Sequence, residues 1–156
     1  MESDVEGMKG FIQVSDELSC AGQPTEDEFA LVRRSGVRLV VNLALSESDF
    51  ALPDERAVVE ALGMDFVHIP VPFSAPTVQH FVQCESELLA RHGQSVLVHC
   101  AYNWRASSFV ALFAERHWGW TREKSERLRT ALWSPDDTWN AWASAVRKQA
   151  WPSSHG

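Results

Sequence analysis

The chain is poor in cysteine, with three in 156 residues: Cys20, Cys84 and Cys100. So small, odd and scattered a set excludes a disulfide framework and a structural zinc site. Long hydrophobic runs are also missing. No apolar stretch approaches the ~18 residues of a transmembrane helix, so no membrane span is expected. The start, MESDVEGMKG, is acidic and lacks the apolar core of a secretory leader, which points to a cytoplasmic location. Basic residues are in deficit, 14 Lys and Arg against 21 Asp and Glu, a formal net charge of −7. That balance argues against nucleic acid and anionic membrane surfaces as partners. A small anionic substrate stays open, because a local site can oppose the net charge. No HExxH or CxxC spacing occurs, so neither a metal nor another cofactor is implied. Repeats and low-complexity segments are absent too. What is there is an apolar fraction of 45% with 22% charged residues, enough to build a globular core.

Residues 1–9 read as a flexible acidic lead. Phe11–Val14 and Glu17–Cys20 can pair as a small hairpin around Ser15-Asp16. After the break at Gly22-Gln23-Pro24, Thr25 and Glu28 form a capping box for a helix that ends at Gly36. Val37–Leu43 is nearly continuously apolar and reads as a strand buried on both faces. A polar loop, Ser46–Leu52, follows. Pro53 can open a helix at its first position, running to Gly63. Phe66–Val71 is the next strand, followed by a stretch stiffened by Pro72 and Pro76. Thr77 caps a helix to about His92, Val96–His99 is a short strand, and a helix runs from about Ala106 to His117. Two more helices follow, Thr121–Leu132 and one capped by Ser134 with Pro135 at its first position. The alternation of strands and helices predicts an α/β fold: a central, mainly parallel sheet of four to five strands flanked by helices, with a helical C-terminal part. Six of the seven tryptophans lie after residue 117. Trp139, Trp142 and Val146 have helical spacing and are expected to pack inward on the sheet, with a partner-binding aromatic patch as the alternative.

The segment VLVHCAYNWRASS, residues 96–108, carries the chemistry. Cys100 sits at the carboxyl end of a buried strand, where ligands bind in open α/β sheets. The loop Ala101–Trp104 leads into Arg105 and the start of a helix. Such a loop turns several backbone N–H groups inward as an anion nest, and the helix dipole adds positive potential. A thiol held there is pushed toward the thiolate and becomes a nucleophile. Arg105, in the first helical turn, can fold its planar fork over the same nest and grip a phosphate-like oxyanion. Asn103 is the loop residue best suited to a left-handed conformation. Trp104 can wall the pocket or stack on a substrate. Cys20 and Cys84 read as small core residues, and His68 as a buried, hydrogen-bonded histidine.

This loop resembles the active-site loop of the cysteine-dependent, dual-specificity-type protein phosphatases: His-Cys, then five residues, then Arg followed by Ser or Thr. It is most similar to a bacterial subgroup, the phosphatase-like part of beta-lactamase hydrolase-like proteins. Gly22-Gln23-Pro24-Thr25, Val41-Asn42-Leu43 and His68-Ile69-Pro70-Val71 resemble recurring phrases of that subgroup. The resemblance covers roughly residues 11–118. It implies a protein-tyrosine-phosphatase-like fold over one domain, residues 1–156, with 119–150 as C-terminal helices. It also implies a phosphomonoester hydrolase acting on a phosphorylated small molecule or a phosphoprotein. Cys100 would attack phosphorus. Arg105 and the backbone N–H groups across Ala101, Tyr102, Asn103, Trp104, Arg105 and Ala106 would hold the phosphate oxygens. His99 would orient the loop and help tune the thiol, and Ser107 (or Ser108) would hydrogen-bond the departing thiolate.

Three departures from the pattern stand out. Four residues, not five, separate Cys100 from Arg105, and the loop has no glycine. The general acid of this family, an Asp about thirty residues before the cysteine, is missing, since no Asp lies between Asp65 and Cys100. Asp49 and His80 are the substitutes. Two other readings follow. The tight ring suits a rhodanese-like sulfurtransferase that carries a persulfide on Cys100. The missing acid suits an inactive relative that binds a phosphate or similar anion without turning it over.

Overall fold

The computed structural model describes residues 5–149. Trp151, one of the C-terminal tryptophans, lies outside the described residues. Residues 5–9, which the sequence assigns to a flexible lead, contain a 3-10 turn at Val5–Gly7 and bury Met8 against the sheet.

The predicted hairpin forms between β1 (Ile12–Gln13) and β2 (Leu18–Ala21), an antiparallel pair. The Ser15 hydroxyl accepts from the Glu17 and Leu18 N–H groups at 3.2 and 3.1 Å and closes the turn. Helix α1 (Glu26–Arg34) starts at the Thr25–Glu28 capping box, with both reciprocal hydrogen bonds made. Strand β3 (Val37–Asn42) is buried except at Arg38.

Helix α2 (Glu55–Ala61) begins later than Pro53. Its cap is Asp54, whose carboxylate accepts from the Ala57 N–H at 3.2 Å. Strand β4 (Asp65–His68) ends earlier than Val71, because Pro70 has no N–H for the ladder. Ile69 and Val71 still donate to the carbonyls of Asn42 and Leu43, both at 2.9 Å. Helix α3 (Val78–Ala90) is capped by Thr77, β5 spans Ser95–His99, and α4 spans Trp104–His117. Helix α5 (Arg122–Arg129) is shorter than the predicted 121–132. Helix α6 (Asp137–Lys148) is capped by Asp136 rather than Ser134, through a 3.0 Å bond from the Trp139 N–H.

The sheet order is β1-β2-β5-β3-β4, and all neighbours from β2 to β4 are parallel. Strand β5 is therefore central and flanked on both sides. One face of the sheet is covered by α1 and α2, around Phe29, Val32 and Val59. The other is covered by α3 to α6, around Phe81, Phe109 and Trp139. Successive side chains of β5 alternate between these faces. Val96, Val98 and Cys100 belong to the α3–α6 side, whereas Leu97 belongs to the α1–α2 side, where the His99 ring meets Phe29 edge-on at 5.9 Å.

Trp139, Trp142 and Val146 form the buried stripe of α6, as their spacing predicts. The stripe packs against α3 and α4, in the same core cluster as the sheet residues Val41 and Val98. Cys20 and Cys84 are buried, and desolvation pushes each thiol up to about 12. Among the described residues no helix is long and apolar enough to cross a membrane.

Candidate active site

Cys100 ends the central strand, and its N–H donates to the Ala21 carbonyl of β2 at 3.2 Å. On the other side the Leu43 N–H, at the end of β3, donates to the His99 carbonyl at 2.8 Å. The nucleophile candidate is thus held by both neighbouring strands. After it the chain turns sharply. Asn103 takes the left-handed conformation the sequence suggests, with φ 72°. Its amide does not cap α4. It turns back and donates to the Gly10 carbonyl at 2.7 Å and toward the Cys20 sulfur at 3.4 Å. The start of α4 therefore has no side-chain cap, and its positive end faces the cysteine. The Ala106 N–H donates to the Cys100 sulfur at 3.4 Å.

The helix begins at Trp104, two residues before the predicted start, and this relocates Ser107. Its hydroxyl donates to the Trp104 carbonyl one turn back, at 3.3 Å, and does not hydrogen-bond the sulfur. The sulfur's hydrogen bond comes from the backbone of Ala106 instead.

Arg105 is 6% exposed. One guanidinium nitrogen, Nη1, donates to the Val71 carbonyl at 2.9 Å. Its Nε is buried with no hydrogen-bond partner. The guanidinium carbon lies 5.8 Å from the centre of the Phe73 ring. No carboxylate among the described residues pairs with it. A buried cation in that state has donors available to an anion.

The three sequence phrases now have physical roles. Gly22 lies against the loop, where a Cβ would sit 2.8 Å from the Ala101 carbonyl oxygen and 3.0 Å from the Lys9 side chain. Only glycine fits there without displacing the loop. The next N–H, that of Gln23, donates to the Ala101 carbonyl at 3.0 Å. The Asn42 carbonyl oxygen of the side chain accepts from the Ala44 N–H at 2.8 Å and shapes the end of β3. His68 is half-buried, and its Nε2 lies 2.6 Å from the Ala44 carbonyl, in keeping with a structural histidine. The Val71 carbonyl receives Arg105.

Sequence reasoning singles out His99 but misses the residue it pairs with, Glu55. His99 is fully buried, and its Nε2 lies 2.5 Å from a carboxylate oxygen of Glu55, the first residue of α2. The other Glu55 oxygen accepts from Gln23 at 2.9 Å and Asn42 at 3.3 Å. Burial alone would raise the Glu55 carboxyl, but His99 and the Gln23 amide outweigh it and hold the group below the usual carboxylate range. The only sequence sign was an acidic residue at a helix start, the most ordinary of signals.

The two substitute acids differ in position. His80 completes the cap of α3, with Nδ1 accepting from the Thr77 N–H at 3.1 Å. Desolvation lowers its affinity for a proton. Asp49 accepts from the Tyr102 hydroxyl at 2.9 Å, so it is tied to the loop itself. Tyr102 and Trp104 stand on the loop's outer side, 5.3 Å apart between ring centres. Trp104 stacks on Trp133 at 5.0 Å with an interplanar angle of 2°. Among the described residues no group of three or more His, Cys, Asp or Glu could hold a metal ion.

The segment where the family's acid would sit is pinned. The Trp139 indole donates to the Phe73 carbonyl at 2.8 Å, and the Trp142 indole donates to the Thr77 carbonyl at 3.1 Å. Trp139 and Trp142 are therefore part of the frame around the site.

Comparison with known proteins agrees with this geometry. A beta-lactamase hydrolase-like protein from Xylella fastidiosa (strain Temecula1 / ATCC 700964) is 30% identical over 104 residues, 65% of this chain. The match spans only 24% of that protein's length. A crystal structure of a DUF442 protein from Shewanella putrefaciens CN-32, assigned as a phosphatase, superposes with a TM-score of 0.82 at 30% identity, covering 91% of this chain and 93% of that one. The cysteine-to-serine variant of P. aeruginosa TpbA, solved in complex with pTyr, shares the fold at 17% identity and a TM-score of 0.66, covering 96% of each chain. A family model described as "DSP-PTPase phosphatase fused to NAD+ Kinase" matches residues 11–141, and the chain belongs to that family of cysteine-dependent phosphatases.

Proposed function

We propose that the protein is a phosphomonoester hydrolase in which Cys100 is the nucleophile and Arg105 binds the phosphate. One observation carries the reading most directly. Among the described residues the buried guanidinium of Arg105 has no carboxylate partner, and it keeps a spare Nε donor, five residues along from a thiol at an uncapped helix start. An oxyanion is the ligand that satisfies both features.

In this reading the Cys100 thiolate attacks phosphorus, the P–O bond to the leaving group breaks, and a cysteinyl phosphate forms. Arg105 and the loop N–H groups hold the equatorial oxygens as charge redistributes. Water then attacks phosphorus and the thiolate leaves, stabilised by the Ala106 N–H. Asp49, tied to the loop through Tyr102, is the candidate proton donor for the leaving oxygen. A positioned acid supplies about 10²–10⁴-fold in rate. The rim of Tyr102 and Trp104 suits an aryl phosphate, and TpbA, a protein of the same fold, was solved with pTyr. A phosphotyrosine side chain or a small aryl phosphate is accordingly the proposed substrate class.

The test is hydrolysis of p-nitrophenyl phosphate by wild type, Cys100→Ser and Arg105→Lys. Turnover in wild type, abolished by Cys100→Ser and reduced about 10²-fold or more by Arg105→Lys, is expected. No wild-type turnover on this activated ester, with inorganic phosphate still bound, would overturn the hydrolase reading in favour of an anion-binding relative. The pinned, Asp-free segment 71–77 is the feature that would favour that second reading.

A further inference from the structure

We infer that Glu55 is a positioning residue of the site: it holds His99 as a doubly protonated imidazolium against the strand end that carries Cys100. The inference rests on the reading of Cys100 as the nucleophile.

The argument starts from burial. Glu55 is 7% exposed and His99 is fully buried, and carboxylates are rarely buried without a partner. Here every contact is used. One Glu55 oxygen faces His99 Nε2, and the other accepts from Gln23 and Asn42. Gln23 follows β2, Asn42 ends β3 and His99 ends β5, so a single carboxylate ties together the ends of three adjacent strands. Those are the strands that frame the Cys100 backbone.

The protonation state of His99 follows from its two neighbours. Nε2 faces a carboxylate, which accepts only. Nδ1 lies 3.3 Å from the Cys100 carbonyl, which also accepts only. Two acceptors call for a proton on each ring nitrogen, and that is the imidazolium. The Phe29 edge shields the ring from water at 5.9 Å. A buried imidazole without a carboxylate sheds its charge, because desolvation disfavours the cation. Glu55 is therefore what keeps a positive charge one residue from the nucleophile. Gln23 and Asn42 are the neutral groups facing the carboxylate. His68 on β4 is the other titratable group close enough to act on it.

Three variants and one spectrum test this. In Glu55→Gln the His99 ring faces an amide, the charge is lost, and thiolate formation at Cys100 becomes harder. Iodoacetamide alkylation of the Cys100 peptide, followed by mass spectrometry against pH, reads the thiolate without any turnover. The alkylation midpoint of Glu55→Gln is expected to move up by about one pH unit relative to wild type. Glu55→Asp is expected to restore part of the shift. With p-nitrophenyl phosphate, kcat is expected to fall about tenfold or more, with KM changed less than about twofold. His99→Gln, which removes the ring charge directly, is expected to give the same midpoint shift as Glu55→Gln. A folded Glu55→Gln protein whose midpoint is unchanged or lower would overturn the inference.

Nitrogen-15 NMR of the wild-type imidazoles covers the case in which the variants fail to fold. Two protonated ring nitrogens on His99 at pH 7.5 are expected, and a neutral ring there would overturn the inference. Failure of the hydrolase reading looks different: wild type would not turn over substrate while the midpoint shift and the imidazolium signature persisted.

Discussion

Arg105 is a buried guanidinium that, among the described residues, meets the Val71 carbonyl and the Phe73 ring but no carboxylate, and a buried cation is costly without an anionic partner. Arg105 lies five residues after Cys100, across one tight loop. Asn103 sets the curve between them. Its φ of 72° is tolerated by Asn and Gly but costs most other residues ~1–2 kcal/mol, and its amide bond to Gly10 adds ~0.5–1.5 kcal/mol. Asn103→Ala loses both contributions and is expected to destabilise the protein by about 2–3 kcal/mol in urea unfolding. Asn103→Gly loses only the hydrogen bond and is expected to cost about half as much; equal costs for the two would show that the left-handed backbone is not the determinant. The placement of Cys100 just after β5, of Arg105 in the first turn of α4 and of the left-handed Asn103 was legible in the sequence, because each depends on local spacing. Glu55 was not, since it meets His99 across 44 residues only after α2 crosses the sheet. Ser107 was misplaced for a local reason. Two extra residues at the start of α4 turn its hydroxyl back to Trp104.

At the level of elements, the caps decide the helix starts, and Pro70 ends β4. Thr25, Thr77 and Thr121 cap their helices where the sequence suggests. Asp54 and Asp136 win over Pro53 and Ser134 because their carboxylates reach the third N–H group of the helix. Proline at a first helical position is permissive, whereas a capping carboxylate satisfies a donor, so the cap wins. The loop between β2 and α1 packs directly on the loop that follows Cys100. Gly22→Ala places a Cβ within 2.8 Å of the Ala101 carbonyl, so one of the two backbones must move. We expect a loss of about 1–3 kcal/mol of stability together with weaker inorganic phosphate binding, measured by thermal melts with and without phosphate. A Gly22→Ala variant that bound phosphate as well as wild type would show that this contact does not shape the nest.

Over the whole molecule, strand order puts Cys100 at the centre. Strand β5 is inserted between β2 and β3, so Cys100 has strand ends on both sides, helix α4 ahead and the α2 carboxylate behind the sheet. The sequence showed the alternation and the mainly parallel sheet, but strand order is set by tertiary pairing and was not legible. The C-terminal helices belong to the same frame, because the α6 indoles hold the segment after β4 by its carbonyls. The net charge of −7 does not oppose an anionic substrate, since Arg105 and the start of α4 supply positive potential locally. The claim that most needs testing is that Cys100 itself takes the phosphoryl group. Acid-quenching wild type during turnover of p-nitrophenyl phosphate, then mapping the protein by mass spectrometry, tests it directly. A phosphoryl group on the Cys100 peptide, absent from Cys100→Ser, is the expected result; turnover with no such adduct, or with the adduct on another residue, would contradict the account.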